Sequence, residues 1–311
     1  MHRSLIIATT LLGLACTQDD TSLSPSGPDG EITAPRVDTP ATVVQGLPSN
    51  GPIYFSSDAG AYPNFEIFSI QPDGTGLRRL SYNPAPDQMP DVSRDGRKIV
   101  FMSKRSGFWE IHSMNADGSN VRRLTSFKAD DKSIPYWPRW SPNGRRIAYH
   151  RLMPGEIHER IFVMGASGSS PTAITDGSTY TRNPAWSPDG TRIAYEMVIN
   201  GGSQIAVALA DGSGAEPVTE CDNDCSGPAW SPDGTTIAVR GFPTMRSYSL
   251  SGALVDTYPE LGQSQVFSPD GTKLVYTNAA DQTLRVVDVK TDAITELLDV
   301  NWTILGLSWS R

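Results

Sequence analysis

The sequence is poor in the side chains that most often carry out chemistry. Its 311 residues include three cysteines and four histidines. No Gly-x-Ser-x-Gly elbow occurs, which removes the nucleophile signature of the α/β-hydrolases. There is no basic run and no basic stripe with interleaved aromatics, and the formal net charge is −8; nucleic acid is therefore not an expected partner. The same acidic balance works against anionic substrates such as polyuronides. Long apolar runs are missing too, since the stretch Leu5 to Leu14 offers about ten residues, too few to span a bilayer. Residues 17–50 hold no aromatic residue and are dense in Pro, Ser, Thr, Gly and Asp, a composition that cannot bury enough surface to order itself.

What the sequence does have is a repeat. It reads Val92-Ser93-Arg94-Asp95-Gly96, Trp140-Ser141-Pro142-Asn143-Gly144, Trp186-Ser187-Pro188-Asp189-Gly190, Trp230-Ser231-Pro232-Asp233-Gly234, Phe267-Ser268-Pro269-Asp270-Gly271 and a truncated Trp309-Ser310-Arg311. The serines recur every 37 to 48 residues, the period of a four-stranded propeller blade. An apolar stretch follows each complete phrase, as in Lys98 to Phe101 and Arg192 to Tyr195. An Asp-Gly or Asn-Gly pair between extended runs is a hairpin turn, because glycine takes positive φ without a Cβ clash. The phrase therefore joins strands A and B of a blade, and a second turn (Pro72-Asp73-Gly74, Ala116-Asp117-Gly118, Ala210-Asp211-Gly212) joins strands C and D. Ile53-Tyr54-Phe55 reads as a strand B with no A before it, and Leu307 to Ser310 as a strand A with no B after it. Pairing the two gives an all-β, six-bladed β-propeller over residues 51–311, closed by its N- and C-terminal strands, which hides the sheet edges.

The segment Pro90 to Phe101, continuing through Glu110-Ile111-His112-Ser113-Met114-Asn115-Ala116-Asp117-Gly118 to Arg123-Leu124-Thr125, closely resembles the WD40-like repeat of the TolB propeller family. The pattern extends over residues 51–311. The resemblance implies the fold and, for function, non-catalytic binding of an envelope partner. The same repeats build the propellers of prolyl-oligopeptidase relatives and oligogalacturonate lyases, so it is specific for fold more than for activity. TolB proteins carry a further globular domain before the propeller, and residues 1–50 leave no room for one here.

The ends suggest export. Arg3, the apolar stretch and Ala15-Cys16 read as a signal peptide over residues 1–16, and Leu12-Gly13-Leu14-Ala15-Cys16 resembles a bacterial lipobox that would make Cys16 a lipidated first residue. Gly13 departs from the aliphatic residue usual there, which leaves ordinary cleavage near Ala15 as the alternative. Residues 17–50 would then be a tether. Cys221 and Cys225 form an even pair suited to a small disulfide between the fourth and fifth blades; a zinc site would need two more ligands, and no histidine lies near in sequence.

Residues that every blade carries serve packing, so the site is sought in what remains. Trp140, Trp186, Trp230 and Trp309 share one repeat position and are expected in the core; Pro90, Pro138, Pro184 and Pro228 share another, at the entry to strand A. The arginine pairs Arg78-Arg79, Arg122-Arg123 and Arg145-Arg146 read as solvated outer strand. Trp109, Trp137 and Trp302 fall outside the pattern, and all belong to the face of the D–A and B–C loops. With Arg105, Tyr136, Arg182 and Phe242 around them they are the candidate partner-binding residues, and His150, Tyr180, Asn183 and Arg240 fall on the same face. The reading is a monomeric, lipid-anchored envelope propeller, periplasmic or outer-surface facing, that binds a protein or peptidoglycan-associated partner, with no cofactor and no metal. The alternative is a metal-assisted glycan hydrolase or lyase, for which His150, His158 and Glu156 or Glu159 are the available ligands.

Overall fold

The computed structural model describes residues 50–59, 64–127, 134–199, 201–219, 225–241, 243–258, 262–278, 281–299 and 302–310. Cys16, Cys221, Phe242 and the expected signal and linker segments lie outside them. The described strands form six four-stranded antiparallel sheets. Blade 1 combines Ile304–Trp309 with Ile53–Ser57, Glu66–Ile70 and Arg78–Arg79. Ile53 pairs with Trp309, Tyr54 with Ser308 and Phe55 with Leu307, so the ring closes with the strands expected from the sequence. Blades 2 to 6 follow in order, with inner strands Asp87–Val92, Pro135–Trp140, Thr181–Trp186, Ser226–Trp230 and Gly262–Phe267.

The second and third strands of each blade are sandwiched between neighbouring blades, which is why their sequences run apolar rather than alternating. Ile99, Val100, Phe101 and Met102 show 0–1% exposure. The A–B phrase is a hydrogen-bonded turn. Ser187 Oγ donates to Asp189 at 2.6 Å and accepts from Arg192 N–H at 2.9 Å, while Asp189 also accepts from Thr191 N–H at 2.9 Å; Ser231 with Asp233 and Ser268 with Asp270 repeat the pattern. The Ser187 hydroxyl, with the Thr191 N–H next, holds the Asp189 carboxyl down at about 2. Its contribution to stability is thus present above the ordinary aspartate range and lost as pH falls through that depressed value.

Blades are joined to one another by two devices, one at the C–D turns and one at the repeat tryptophans of blades 4 and 5. The first is the C–D turn glycine, which abuts the residue just past the last strand of the preceding blade. A Cβ on Gly118 would stand 2.3 Å from Leu80 O, on Gly168 2.0 Å from Leu124 O and on Gly212 2.2 Å from Ile174 O. The second is the tryptophan of the repeat. Trp186 Nε1 donates to Arg139 O at 3.2 Å and Trp230 Nε1 to Ala185 O at 3.1 Å, each reaching the inner strand of the preceding blade. Arg146 and Arg192, from those preceding blades, cover the indole faces at 4.7 and 5.2 Å. Arg146 therefore belongs to a second strand and an inter-blade contact, not to a solvated outer strand. Arg122 and Arg123 are on an outer strand and exposed, whereas Arg79 on the outer strand of blade 1 pairs with buried Glu66 at 2.7 Å.

The inner strands differ from the expectation. The recurring prolines do not sit at the strand entry: Pro90, Pro138, Pro184 and Pro228 lie inside the inner strands, at a register slip shared by these blades. A bulge tolerates the missing N–H. The residue before each proline is left-handed, with φ of 53° at Met89, 50° at Trp137, 54° at Asn183 and 59° at Gly227. Trp137 is therefore not a loop residue but the bulge of the third inner strand, and a bulky side chain in that region is strained.

Two outcomes follow from this backbone. Gly168→Ala should melt far below Gly144→Ala: both carry positive φ, but a Cβ on Gly144 meets nothing within 4 Å, so that variant bears only the left-handed penalty of about 1–2 kcal/mol. Equal melting temperatures would contradict the close approach between blades. At the bulge, Trp137→Gly should be more stable than Trp137→Ala by about 1 kcal/mol in denaturant unfolding, because only glycine relieves the strain. An alanine variant as stable as the glycine one would show that no strain is held there.

Candidate functional site

The inner strands surround a central channel whose two ends differ. Toward the A–B turns it is an apolar funnel of about 230 Å³, walled by Trp140, Trp186, Trp230, Trp309, Phe267 and Pro142, Pro188, Pro232 and Pro269. The tryptophans expected in the core thus have two roles, packing between blades and lining this funnel; Trp186, Trp230 and Trp309 are 7–8% exposed. Arg94, which stands where most repeats have proline, donates from Nη1 to Pro188 O of blade 4 at 2.8 Å.

Toward the D–A and B–C loops the channel is a polar cavity of about 480 Å³, within the range of about 300–1,000 Å³ common for ligand sites. Tyr136, Trp137, His150, Glu159, Arg182, Asn183, Glu196, Ser203, Ser226, Arg240 and Gln265 line it. Arg139 and Gln265 belong to both chambers and mark the waist between them. Arg139 donates from Nη1 to Asp91 Oδ1 and to Leu307 O, each at 3.2 Å, which ties blade 3 to blades 2 and 1. Burial raises the Asp91 carboxyl, and the Arg139 charge opposes that shift.

One wall is aromatic. His150 stacks with Tyr136 at 5.4 Å and with Trp137 at 6.0 Å between ring centroids. Burial, with a smaller push from Arg182, lowers the His150 pKa to about 3, so the ring is neutral at any physiological pH. Its Nδ1 accepts from Asn183 N–H at 3.3 Å, which places the proton on Nε2. The other wall is a charged network: Glu196 accepts from Arg182 Nε at 3.0 Å, Asn183 Nδ2 at 2.9 Å and Ser203 Oγ at 3.1 Å. Arg240 Nε donates to Ser226 Oγ at 2.8 Å. Burial raises the Glu159 carboxyl, which Arg182 lowers and Glu196 raises further.

The structure brings Tyr136, Trp137 and Arg182 together at this cavity and leaves the other described candidates elsewhere. Arg105 pairs with buried Asp87 at 2.6 Å and donates to Ser103 Oγ at 2.9 Å, a bracing role in blade 2. Trp302 packs on the core of blade 1, its ring 6.0 Å from Phe68. Trp109 is half-buried beside the third strand of blade 2 and does not line the cavity. Cys225 is fully buried and disulfide-bonded, and Cys221 lies outside the described residues. His158 Nδ1 lies 3.0 Å from Gly177 O, with its ring 4.6 Å from Tyr180. No group of three or more His, Cys, Asp or Glu side chains arranged for a metal occurs among the described residues. Glu196, Ser203, Ser226 and Gln265 also line the cavity, and no local pattern in the sequence marks them. Only the register of the bulged inner strands against their neighbours could have placed them.

Comparison with known proteins agrees with this architecture. The family model described as the TolB beta propeller domain matches residues 127–311. An uncharacterized protein of Agrobacterium fabrum is 31% identical over 118 residues, covering 36% of this chain and 39% of that protein. The Tol-Pal system protein TolB of Geobacter sulfurreducens is 41% identical over 75 residues, covering 23% of this chain and 16% of that protein. The alignments therefore span well under half the length of these curated relatives. The crystal structure of TolB from Acinetobacter baumannii superposes with a TM-score of 0.70 at 20% identity, over 84% of this chain and 67% of that one, a likeness of fold. The repeat phrases, the six blades closed by the terminal strands and the family match together place this chain in the TolB β-propeller domain family.

Proposed function

We propose that the protein is a non-catalytic binding propeller of the bacterial cell envelope, anchored by lipid at Cys16, which receives a protein or peptidoglycan-associated partner on the D–A and B–C loop face. One observation carries this reading: the loop-face end of the channel is lined by side chains that break the repeat, whereas the opposite face presents the same Ser–Asp turn in blade after blade. Side chains unique to single blades provide specificity, and identical turns do not. The names of the matched relatives point to a Tol-Pal system, where a binding role fits a rigid scaffold with an open polar mouth. Against catalysis stands the chemistry of the histidines: His150 is enclosed by aromatic rings with its Nδ1 lone pair engaged, and His158 is engaged by Gly177 O.

Cell fractionation with affinity capture tests both halves of the proposal. Cys16→Ser should move the protein from the membrane pellet to the soluble envelope fraction. For a captured partner, Tyr136→Ala and Arg182→Ala should weaken binding, by about thirtyfold if the ring is a buried anchor worth about 2 kcal/mol, while Asp189→Ala and Asp233→Ala should leave affinity unchanged. An unchanged pellet would remove the lipid anchor, and losses confined to the aspartate variants would move the site to the turn face.

A further inference from the structure

The polar cavity has hydrogen-bonding capacity that the protein does not use. Gln265 is 7% exposed, and its Nε2 donates to Gly227 O, leaving Oε1 without a donor. Asn183 is fixed in the same way: Nδ2 donates to Glu196 Oε2, so the remaining atom is the oxygen, and Oδ1 has no partner. Both amides are oriented by acceptors, a carbonyl and a carboxylate, that only an NH₂ group can satisfy. Both residues line the same chamber. A buried acceptor left without a donor costs about 1–3 kcal/mol, a cost that a ligand donor reaching either oxygen would relieve.

The rest of the lining narrows the ligand. Arg139 is paired with Asp91 and Arg182 with Glu196, and with Arg240 and Glu159 counted, three arginines are matched by three carboxylates in and directly behind the lining. The chamber therefore has no net charge for an ionic ligand to answer. It offers donors from Arg182 and Arg240, acceptors from Glu159, Asn183 and Gln265, and an aromatic wall formed by Tyr136 and Trp137. Trp137 is held at the wall by the inner-strand bulge. Donors and acceptors together beside an aromatic wall match a molecule whose edge is hydroxyls and whose face is C–H. We infer that the loop-face chamber binds a neutral saccharide, seated against Tyr136 and Trp137 with its hydroxyls on Asn183, Gln265 and Glu159. This inference rests on the binding role proposed for the same mouth, and Asn183 and Gln265 inside the chamber distinguish a bound sugar from a partner held by Tyr136 and Arg182.

The full chain, titrated with diacetylchitobiose, cellobiose and maltose and followed by tryptophan fluorescence and saturation-transfer NMR, tests the assignment. Chitobiose lacking its acetyl groups and digalacturonate serve as cationic and anionic controls. At least one neutral disaccharide should bind about tenfold more tightly than either charged control, and Asn183→Gly, which keeps the permissive backbone, should weaken it about tenfold. Trp137→Gly should weaken it similarly and abolish the fluorescence change, while Gly144→Ala on the opposite face leaves binding intact. Melting curves identify any variant that fails to fold, and in that case Gln265→Leu replaces it. Absence of binding by all three neutral sugars, preference for a charged control, or wild-type affinity in folded Asn183→Gly would overturn the inference. So would a peptide from a captured partner, rather than a sugar, giving the Asn183-dependent signal.

Discussion

The close approach of one blade's backbone to the next is the constraint on which the ring depends. At the C–D turn the chain passes so near the preceding blade that a methyl group at Gly118, Gly168 or Gly212 would overlap a carbonyl oxygen. On the channel side, the indoles of Trp186 and Trp230 hydrogen-bond to the preceding inner strand while their faces are covered by arginines of that same blade. A four-stranded sheet cannot cover both of its apolar faces alone, and these contacts set the spacing at which its neighbour covers one of them. The ring is completed inside blade 1 by the chain ends: Ile53–Ser57 pairs with Ile304–Trp309 in one sheet, which removes the open edges.

That packing explains why the two mouths of the channel differ in chemistry. The turn-face end is built from the repeat itself, so it inherits tryptophan and proline from blade after blade and is apolar. The loop-face end is built at and just before the bulge of the inner strands, where the repeat imposes proline and a left-handed residue but leaves the other side chains free. Blade 3 places Tyr136 and Trp137 there, blade 4 places Arg182 and Asn183, and blade 5 has glycine. The bulge turns one face of a symmetric scaffold into an asymmetric site.

Much of this was legible in the sequence, for physical reasons that are local. The Ser-Pro-Asp-Gly phrase encodes a turn by hydrogen bonds within five residues, so the strands around it and the six-blade count could be read directly. Closure followed from the unpaired Ile53 and Leu307 segments. The position of Trp137 could not be read in this way. Its left-handed bulge comes from a register slip between two strands, and the same slip moved the recurring prolines from the strand entry to its middle. Arg105 and Trp302 looked free because they break the repeat, but their partners, Asp87 and Phe68, are distant in sequence or on another strand. Gln265 and Glu196 were invisible because nothing local distinguishes them; the ring alone brings blades 4 and 6 to one chamber.

The central claim is that recognition takes place at the loop-face mouth. Photocrosslinking in living cells measures this most directly, with benzoylphenylalanine placed at Tyr136 on that mouth or at Asn143 in an A–B turn of the same blade. A discrete adduct from position 136 with none from 143 is the predicted result. An adduct from 143 alone would contradict the account and place recognition on the face of the repeated turns.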